Sequence, residues 1–250
     1  MSAIVTSLIV FACVFGGALF GMLLRAVLPV HHFDDDTKDV IKLGMGLVAT
    51  MTALILGLLI ASAKGSYDTQ KSEVAELSAK VIFLDMTLAR YGPETKEIRN
   101  LVRASMEREI DRVWPKDRAR EPQFGPGGSA ASPYEKVLGL SPKDDAQRSI
   151  KALAFSLMTD IRQTRWLMFV QRGSSFPMLF LVVVVSWLTM IFISFGLFAP
   201  RNATAIATLL FCALSVTAAI LMVLELNTPF EGLIQISPAQ LRDTLSLLGQ

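Results

Sequence analysis

Apolar and charged positions divide the chain into four long apolar runs, with one charged and periodic region between the second run and the third. The runs Met1–Leu24, Leu43–Ala63, Gly173–Pro200 and Asn202–Leu224 contain no Asp, Glu, Lys or Arg. Each run reaches the ~20 apolar residues that a helix needs to cross a bilayer. We therefore predict an all-α integral membrane protein with four transmembrane helices.

The second apolar run continues into a charged helix with no proline between Thr37 and Arg90. After Lys64 and Gly65, apolar residues repeat at spacings of three and four, which is typical of a helix with one buried face in a bundle. A single helix of about 54 residues is roughly 80 Å long, at a rise of 1.5 Å per residue. The apolar seam consists of Val74, Leu77, Val81, Leu84 and Leu88.

Two further amphipathic helices complete a predicted cytosolic bundle between the second and third spans. Tyr91-Gly92-Pro93 ends the first soluble helix, and the second runs from about Glu94 to Trp114. Ser141 is expected to cap the third helix, with Pro142 in its first turn. The expected inner faces are Ile98, Leu101, Val102, Met106, Ile110 and Val113 on the second helix, and Ile150, Leu153, Leu157, Ile161, Thr164 and Met168 on the third.

These elements divide the chain into four segments. Residues 1–64 form a first transmembrane hairpin, and residues 65–172 form a three-helix domain with a flexible loop near 115–133. Residues 173–225 form a second hairpin, because only a tight turn fits between its two spans. Residues 226–250 form a tail with a short amphipathic helix. Basic residues are more numerous beside the central domain, which places that domain and both termini in the cytosol.

Composition and chemistry-bearing residues argue against an enzyme. The chain is 52% hydrophobic and 18% charged, with a net charge of +2, so it carries no basic excess for nucleic acid. Cys13 and Cys212 lie inside separate spans, where they act as small apolar side chains. No phosphate-binding loop, metal-ligand spacing or nucleophile motif is present. We expect no catalytic residue, no cofactor, no metal and no nucleic-acid partner.

The predicted link between the first two spans is rich in polar residues. His31 and His32 precede three consecutive acidic residues, Asp34–Asp36. These acids either attract cations or supply the negative charge that favours a helix N-terminus, with Thr37 as the cap of the second helix.

Small and hydroxyl side chains form ribbons along three of the spans. Gly17 and Gly21 are spaced so that another helix backbone can approach the first span closely. A similar ribbon in the second span either packs against a neighbouring helix or lines a narrow conduit. Because the spans carry no internal charge, an ion path would depend on hydroxyls, backbone groups and helix ends. The candidate pore-lining residues are Gly46, Thr50, Ala53 and Gly57, with Thr204, Thr208 and Ser215 as the alternative lining.

The tail after Glu225 is the most distinctive stretch of the sequence. Pro229 stops the preceding helix, Gly232 makes a turn, and Ser237 caps a short helix with Pro238 in its first turn. Together with Leu56–Ala63 and Tyr67-Asp68, this tail resembles the bacterial bestrophin-like membrane family, and the resemblance covers nearly the whole chain. The tail residues that carry it are Asn227, Pro229, Phe230, Gly232 and Ser237.

The resemblance implies an inner-membrane homo-oligomer grouped with anion channels, chloride among them, whose partners are the bilayer and small ions. It also implies a pore built largely from the second span and its cytosolic continuation. No bestrophin pore residue transfers by position, because Leu43–Ala63 contains no phenylalanine and no acidic cluster matches the family's calcium clasp. Three functions stay open: an anion channel, a non-conducting scaffold or sensor, and a stator-like subunit that needs a partner helix bearing a membrane acid.

Overall fold

A computed structural model describes residues 2–27, 35–115, 133–172 and 178–249 of the protein. Within these ranges the chain is helical, without strands, which confirms the all-α fold. A short 3-10 helix, Pro93–Thr95, precedes α3. The α-helices are α1 (Ala3–Val27), α2 (Asp35–Tyr91), α3 (Lys96–Val113), α4 (Pro133–Leu138), α5 (Asp145–Arg172), α6 (Met178–Phe198), α7 (Ala203–Leu226) and α8 (Ala239–Leu247).

Four of these helices are long and apolar enough to cross a membrane, as the sequence predicts. They are α1, the first part of α2, α6 and α7. The second span and the charged segment that follows it form one uninterrupted helix of 57 residues, and Gly65 introduces no break. This helix begins at Asp35, before Thr37, so the expectation that Thr37 caps it is wrong. The residues from His31 to Asp34 lie outside the described part of the chain, and so do residues 116–132, which are nearly all of the flexible loop predicted near 115–133.

The structure divides into two compact units, Met1–Tyr67 with Ser175–Thr228, and Asp68–Ser174 with Pro229–Gln250. In the first unit, α1 and α6 pack backbone to backbone through glycine. A Cβ atom added at Gly21 would lie 2.1 Å from the carbonyl oxygen of Ile193, and one at Gly196 would lie 2.0 Å from that of Ala18. The predicted packing role of Gly17 and Gly21 is confirmed, since a Cβ on Gly17 would also crowd Thr189.

Two arginines join the helix ends at one end of the first unit. Arg25 donates to the carbonyl oxygens of Phe198 (3.3 Å) and Ala199 (2.6 Å), and Arg201 donates to that of Met22 (2.9 Å). Phe198 is the last residue of α6, and the last carbonyls of a helix lack N–H partners within that helix, so a cationic donor is favourable there.

In the second unit, the predicted seam of α2 is confirmed: Val74, Leu77, Val81, Leu84 and Leu88 are all buried. On α3, the predicted inner residues are also buried, except that Leu101 is half-exposed. Charged residues between the seam positions bond across the bundle, as Lys80 does with Thr164 (3.2 Å).

The prediction for α5 is wrong in two respects. Asp144 caps this helix in place of Ser141, because its Oδ1 accepts from the backbone N–H of Gln147 (2.7 Å). Leu153 is exposed, and Ala154 and Met158 are buried with Leu157, Thr164 and Met168, so the buried face is rotated from the predicted one in the first half of the helix. The short helix α4, which the sequence pattern did not indicate, packs against α3 and α5.

The corner between α2 and α3 is tied to the start of α5. Gly92 has a φ of 138°, a conformation that favours glycine. Gln147 donates to the carbonyl oxygen of Tyr91 (3.0 Å), and Lys143 Nζ lies 2.5 Å from Glu94 Oε1. The hydrogen bond from Lys143 lowers the pKa of the Glu94 carboxyl, which keeps this exposed pair ionised.

Candidate functional site

The second-span ribbon lies on an uncovered face of α2. Gly46, Thr50, Ala53 and Gly57 are all exposed, and apart from the adjoining backbone of α2 itself no atom lies within 4 Å of a Cβ built at Gly46 or Gly57. Only 6% of the most apolar stretch of α2 is buried within the chain, against 28% in α1, 33% in α6 and 22% in α7. Of the four spans, this one is the least covered by the rest of the chain.

The ribbon offers neutral oxygen atoms and no fixed charge. The hydroxyl of Thr50 donates to the carbonyl oxygen of Gly46 (2.9 Å), one turn earlier on the same helix. In this arrangement the hydroxyl presents its oxygen lone pairs outward, and it has to rotate before it can donate to an anion. The nearest charged residues along the helix are Lys42 and Lys64, which flank the uncharged stretch.

Thr52 provides a contrast on the same helix. Its side chain is buried, and its hydroxyl donates to the carbonyl oxygen of Val48 (2.7 Å). Thr50 and Thr52 therefore share a helix and a local hydrogen-bond pattern, but only Thr50 faces away from the rest of the chain.

The alternative ribbon has the same character on a different helix. Thr204, Thr208 and Ser215 are exposed on α7. The hydroxyls of Thr208 and Ser215 each donate to the carbonyl oxygen four residues earlier, at 2.9 Å. Both candidate linings are thus exposed in a single chain and chemically similar.

Glu225 is a charged residue whose burial the sequence did not reveal. Its place after the apolar run suggested the exit from the fourth span, but α7 continues to Leu226 and Glu225 is only 3% exposed. Asn227 then ends the helix, and its side-chain amide donates to the carbonyl oxygen of Val223 (2.7 Å).

Within the second unit, the distinctive tail packs against Trp114, directly after α3. The ring of Phe230 meets that of Trp114 edge to face, with centroids 5.4 Å apart, and both side chains are buried. The indole N–H of Trp114 donates to the carbonyl oxygen of Ile236 (2.8 Å). A backbone hydrogen bond from Ile236 to Pro229 (2.7 Å) closes the loop between them.

The turn inside this loop depends on glycine. Gly232 has a φ of 82°, which residues with a Cβ rarely adopt. Ser237 accepts from the backbone N–H of Ala239 (3.2 Å), but α8 begins at Ala239 with Pro238 at its N-cap position and no side-chain cap, so the expectation that Ser237 caps this helix is wrong. The motif residues Pro229, Phe230 and Gly232 therefore shape the docked loop, and Ser237 and Asn227 act locally at helix ends.

A second contact holds the far end of the tail. Asp85 accepts two hydrogen bonds from the Arg99 guanidinium, Nε to Oδ1 at 2.8 Å and Nη2 to Oδ2 at 2.7 Å. The backbone N–H of Gly249 also donates to Asp85 Oδ2 (3.3 Å), and Arg103 donates to the carbonyl oxygen of Leu248 (3.2 Å). The hydrogen bonds with Asp85 raise the pKa of Arg99.

Sequence reasoning missed Trp114, Asp85 and Arg99 as partners of the tail. Asp85 falls between seam positions Leu84 and Leu88. A carboxylate on a helix face that is predicted to be buried needs a partner, and this is the one signal in the sequence that could have indicated the contact. In the described ranges, no group of three or more His, Cys, Asp or Glu side chains is placed to hold a metal ion.

Comparison with known proteins gives one match. The model of the family described as Bestrophin-like domain matches residues 12–241. No curated protein and no solved structure matches the chain.

Proposed function

Because the chain belongs to the bestrophin-like family, we propose that it is the subunit of an oligomeric ion channel in the bacterial inner membrane, and that this channel passes small anions such as chloride. The single observation that carries this proposal is the uncovered face of α2. The family gives the channel class, and this face offers a place for the pore.

A ring of identical subunits is the simplest way to use such a face. Closed symmetric assemblies are the usual form of homo-oligomers, and a helix that contributes one face to a central axis needs another face for its neighbours. The small side chains of Gly46, Ala53 and Gly57 leave room for an axial path. If α7 lines the path, Thr204, Thr208 and Ser215 replace them.

The neutral lining predicts weak selectivity. Hydroxyl groups and helix dipoles solvate an ion far less strongly than a fixed charge does, so permeation follows the ease of dehydration. The bond between Thr50 and Gly46 adds to this effect, because an anion competes with a carbonyl for the same hydroxyl proton. We therefore expect large, weakly hydrated anions to pass more readily than chloride.

Ion flux into liposomes that contain the purified protein tests the proposal. Thr50→Leu places a bulky side chain on the proposed lining and should lower flux about tenfold, which corresponds to ~1.4 kcal/mol added to the barrier. Thr52→Val is the matched control, because it removes a threonine hydroxyl from the buried face of the same helix. Flux through this control should equal that of the unchanged protein.

The alternatives give different results. A loss of flux in Thr208→Leu, with Thr50→Leu unaffected, would move the lining to α7. If neither chloride nor a small cation enters faster than into empty liposomes, the channel proposal fails and the scaffold function replaces it.

A further inference from the structure

The last two turns of α5 expose a cluster of apolar side chains. Trp166 and Leu167 are each 47% exposed, Phe169 is 40% exposed and Val170 is 64% exposed. The rings of Trp166 and Phe169 meet edge to face, with centroids 5.7 Å apart. We call these four residues the α5 patch.

The α5 patch is separate from the core of the bundle. The buried face of this helix is formed by Leu157, Thr164 and Met168, on the other side. Along the patch side, the preceding turns expose the polar residues Thr159, Arg162 and Gln163. Their spacings of three and four put them in line with Trp166 and Val170. One face of the helix thus changes from polar to apolar at Trp166.

This change from polar to apolar side chains occurs a few residues before the third span begins in the sequence. Five residues separate Arg172, at the end of α5, from Met178, at the start of α6. Six Cα–Cα steps cover at most about 21 Å, so the chain itself limits how far the end of α5 can lie from the start of the third span. The first turn of α6 is itself apolar and exposed at Met178, Leu179 and Phe180.

The charges around the α5 patch suit phospholipid headgroups. Residues 162–172 contain Arg162, Arg165 and Arg172, and no acidic residue. Arg165 is paired with Glu109 on α3, whereas the exposed Arg162 stacks on the ring of Tyr134 at 4.8 Å. Tryptophan favours the membrane–water interface because its ring is amphipathic. Arginine favours it because its side chain reaches the headgroups and donates hydrogen bonds to phosphate.

We propose that the α5 patch inserts into the headgroup region of the bilayer and anchors the helical domain to the membrane surface. A second copy of the chain is a poorer occupant. Four partly exposed side chains offer roughly half of the ~800 Å² that each partner buries in a standard protein interface. The proposal requires the membrane topology only, so it holds whether or not the protein conducts ions.

Spin labels on the reconstituted full-length protein test the anchor. With Cys13 and Cys212 replaced by alanine, a label is attached at Val170→Cys or at the control Gln163→Cys, which lies on the same face two turns from the end of the helix. In phospholipid bilayers, the label at position 170 should collide more often with oxygen than with a water-soluble nickel complex. The label at position 163 should show the opposite preference.

Two results would overturn the anchor. Equal access of the nickel complex to positions 170 and 163 would place the patch in water. Protection of position 170 from both reagents, together with disulfide formation between Val170→Cys subunits, would place it in a protein interface. Neither result depends on ion flux, so the anchor and the channel proposal can fail independently.

Discussion

At the scale of single residues, glycine sets the distance between α1 and α6. Gly21 faces the backbone of Ile193, and Gly196 faces the backbone of Ala18, so each helix supplies a glycine where the other's main chain passes. Close approach lets many weak contacts form between spans, and helices in lipid depend on such contacts because no hydrophobic effect drives them together.

Gly21→Ala should therefore destabilise the protein. The added Cβ would lie 2.1 Å from a backbone oxygen, which no side-chain rotation relieves. Overpacking of this kind costs about 1–3 kcal/mol, and we expect the Tm of the detergent-purified protein to fall by several degrees. Gly16→Ala is the control, since apart from the adjoining backbone of α1 no atom lies within 4 Å of a Cβ built there. Equal melting temperatures for the two variants would contradict this packing.

The spacing of Gly17 and Gly21 was enough to predict a close helix contact, but it did not identify the partner. Gly196 lies in a third span with no second glycine four residues away, so its sequence carried no comparable signal. A contact between two helices depends on which faces meet, and this is decided by the packing of the whole unit.

At the scale of elements, the tail completes the helical bundle. Phe230 packs against the ring of Trp114, and the carbonyl oxygen of Ile236 accepts from its indole N–H. The residues that follow α8 form hydrogen bonds with Asp85, which is paired with Arg99, and with Arg103. Two of these contacts provide partners for buried polar groups, the indole N–H of Trp114 and the carboxylate of Asp85.

Asp85→Asn should loosen the end of the tail. The substitution leaves Arg99, whose side chain is 17% exposed, without its carboxylate, and breaking a buried pair costs about 3 kcal/mol. Amide hydrogens in α8 should then exchange about 100-fold faster with deuterium. Glu97→Gln removes one carboxylate from an exposed pair with Lys136 and should change exchange little. Equal effects of the two substitutions would show that the tail does not depend on Asp85.

Helical periodicity predicted α2 better than α5 for a physical reason. The seam of α2 consists of large aliphatic residues with many polar residues between them, so only one face of the helix can be assigned as the buried one. In α5, apolar residues occur on two faces: Leu157 and Met168 are buried, whereas Leu153, Trp166 and Val170 are exposed. A periodic pattern shows that a helix has an apolar face, but it cannot show whether that face is buried in the bundle or exposed at its surface. A small residue, Ala154, fills part of the buried face, and its weak hydrophobicity makes the correct helical phase harder to recognise.

At the scale of the whole molecule, each compact unit is built from two stretches of chain that are far apart in sequence. The apolar runs predicted the membrane helices because length and composition suffice for that purpose. The lining of the proposed pore could not be predicted in the same way, since Thr50 and Thr208 are both exposed in the single chain and exposure alone does not distinguish their two faces.

The proposed topology puts the helical domain in the cytosol and the turn between α6 and α7 on the outer side. In a background without Cys13 and Cys212, Ala203→Cys should react with a membrane-impermeant maleimide in spheroplasts, and Ser149→Cys should react only after lysis. Both positions are exposed in the structure, so burial does not explain a difference. The reverse labelling pattern would invert the topology.

The docking of the tail also determines when the helical bundle can finish folding during synthesis. Trp114 and its acceptor at Ile236 are 122 residues apart, and α6 and α7 lie between them in the order of synthesis. At typical translation rates, about 6–24 s pass before Trp114 meets Ile236. During this interval the nascent bundle keeps an uncovered apolar surface while the ribosome is still producing the second pair of spans. The segment that covers this surface is therefore made only after α6 and α7, so slower synthesis of these two helices lengthens the time for which the surface stays uncovered.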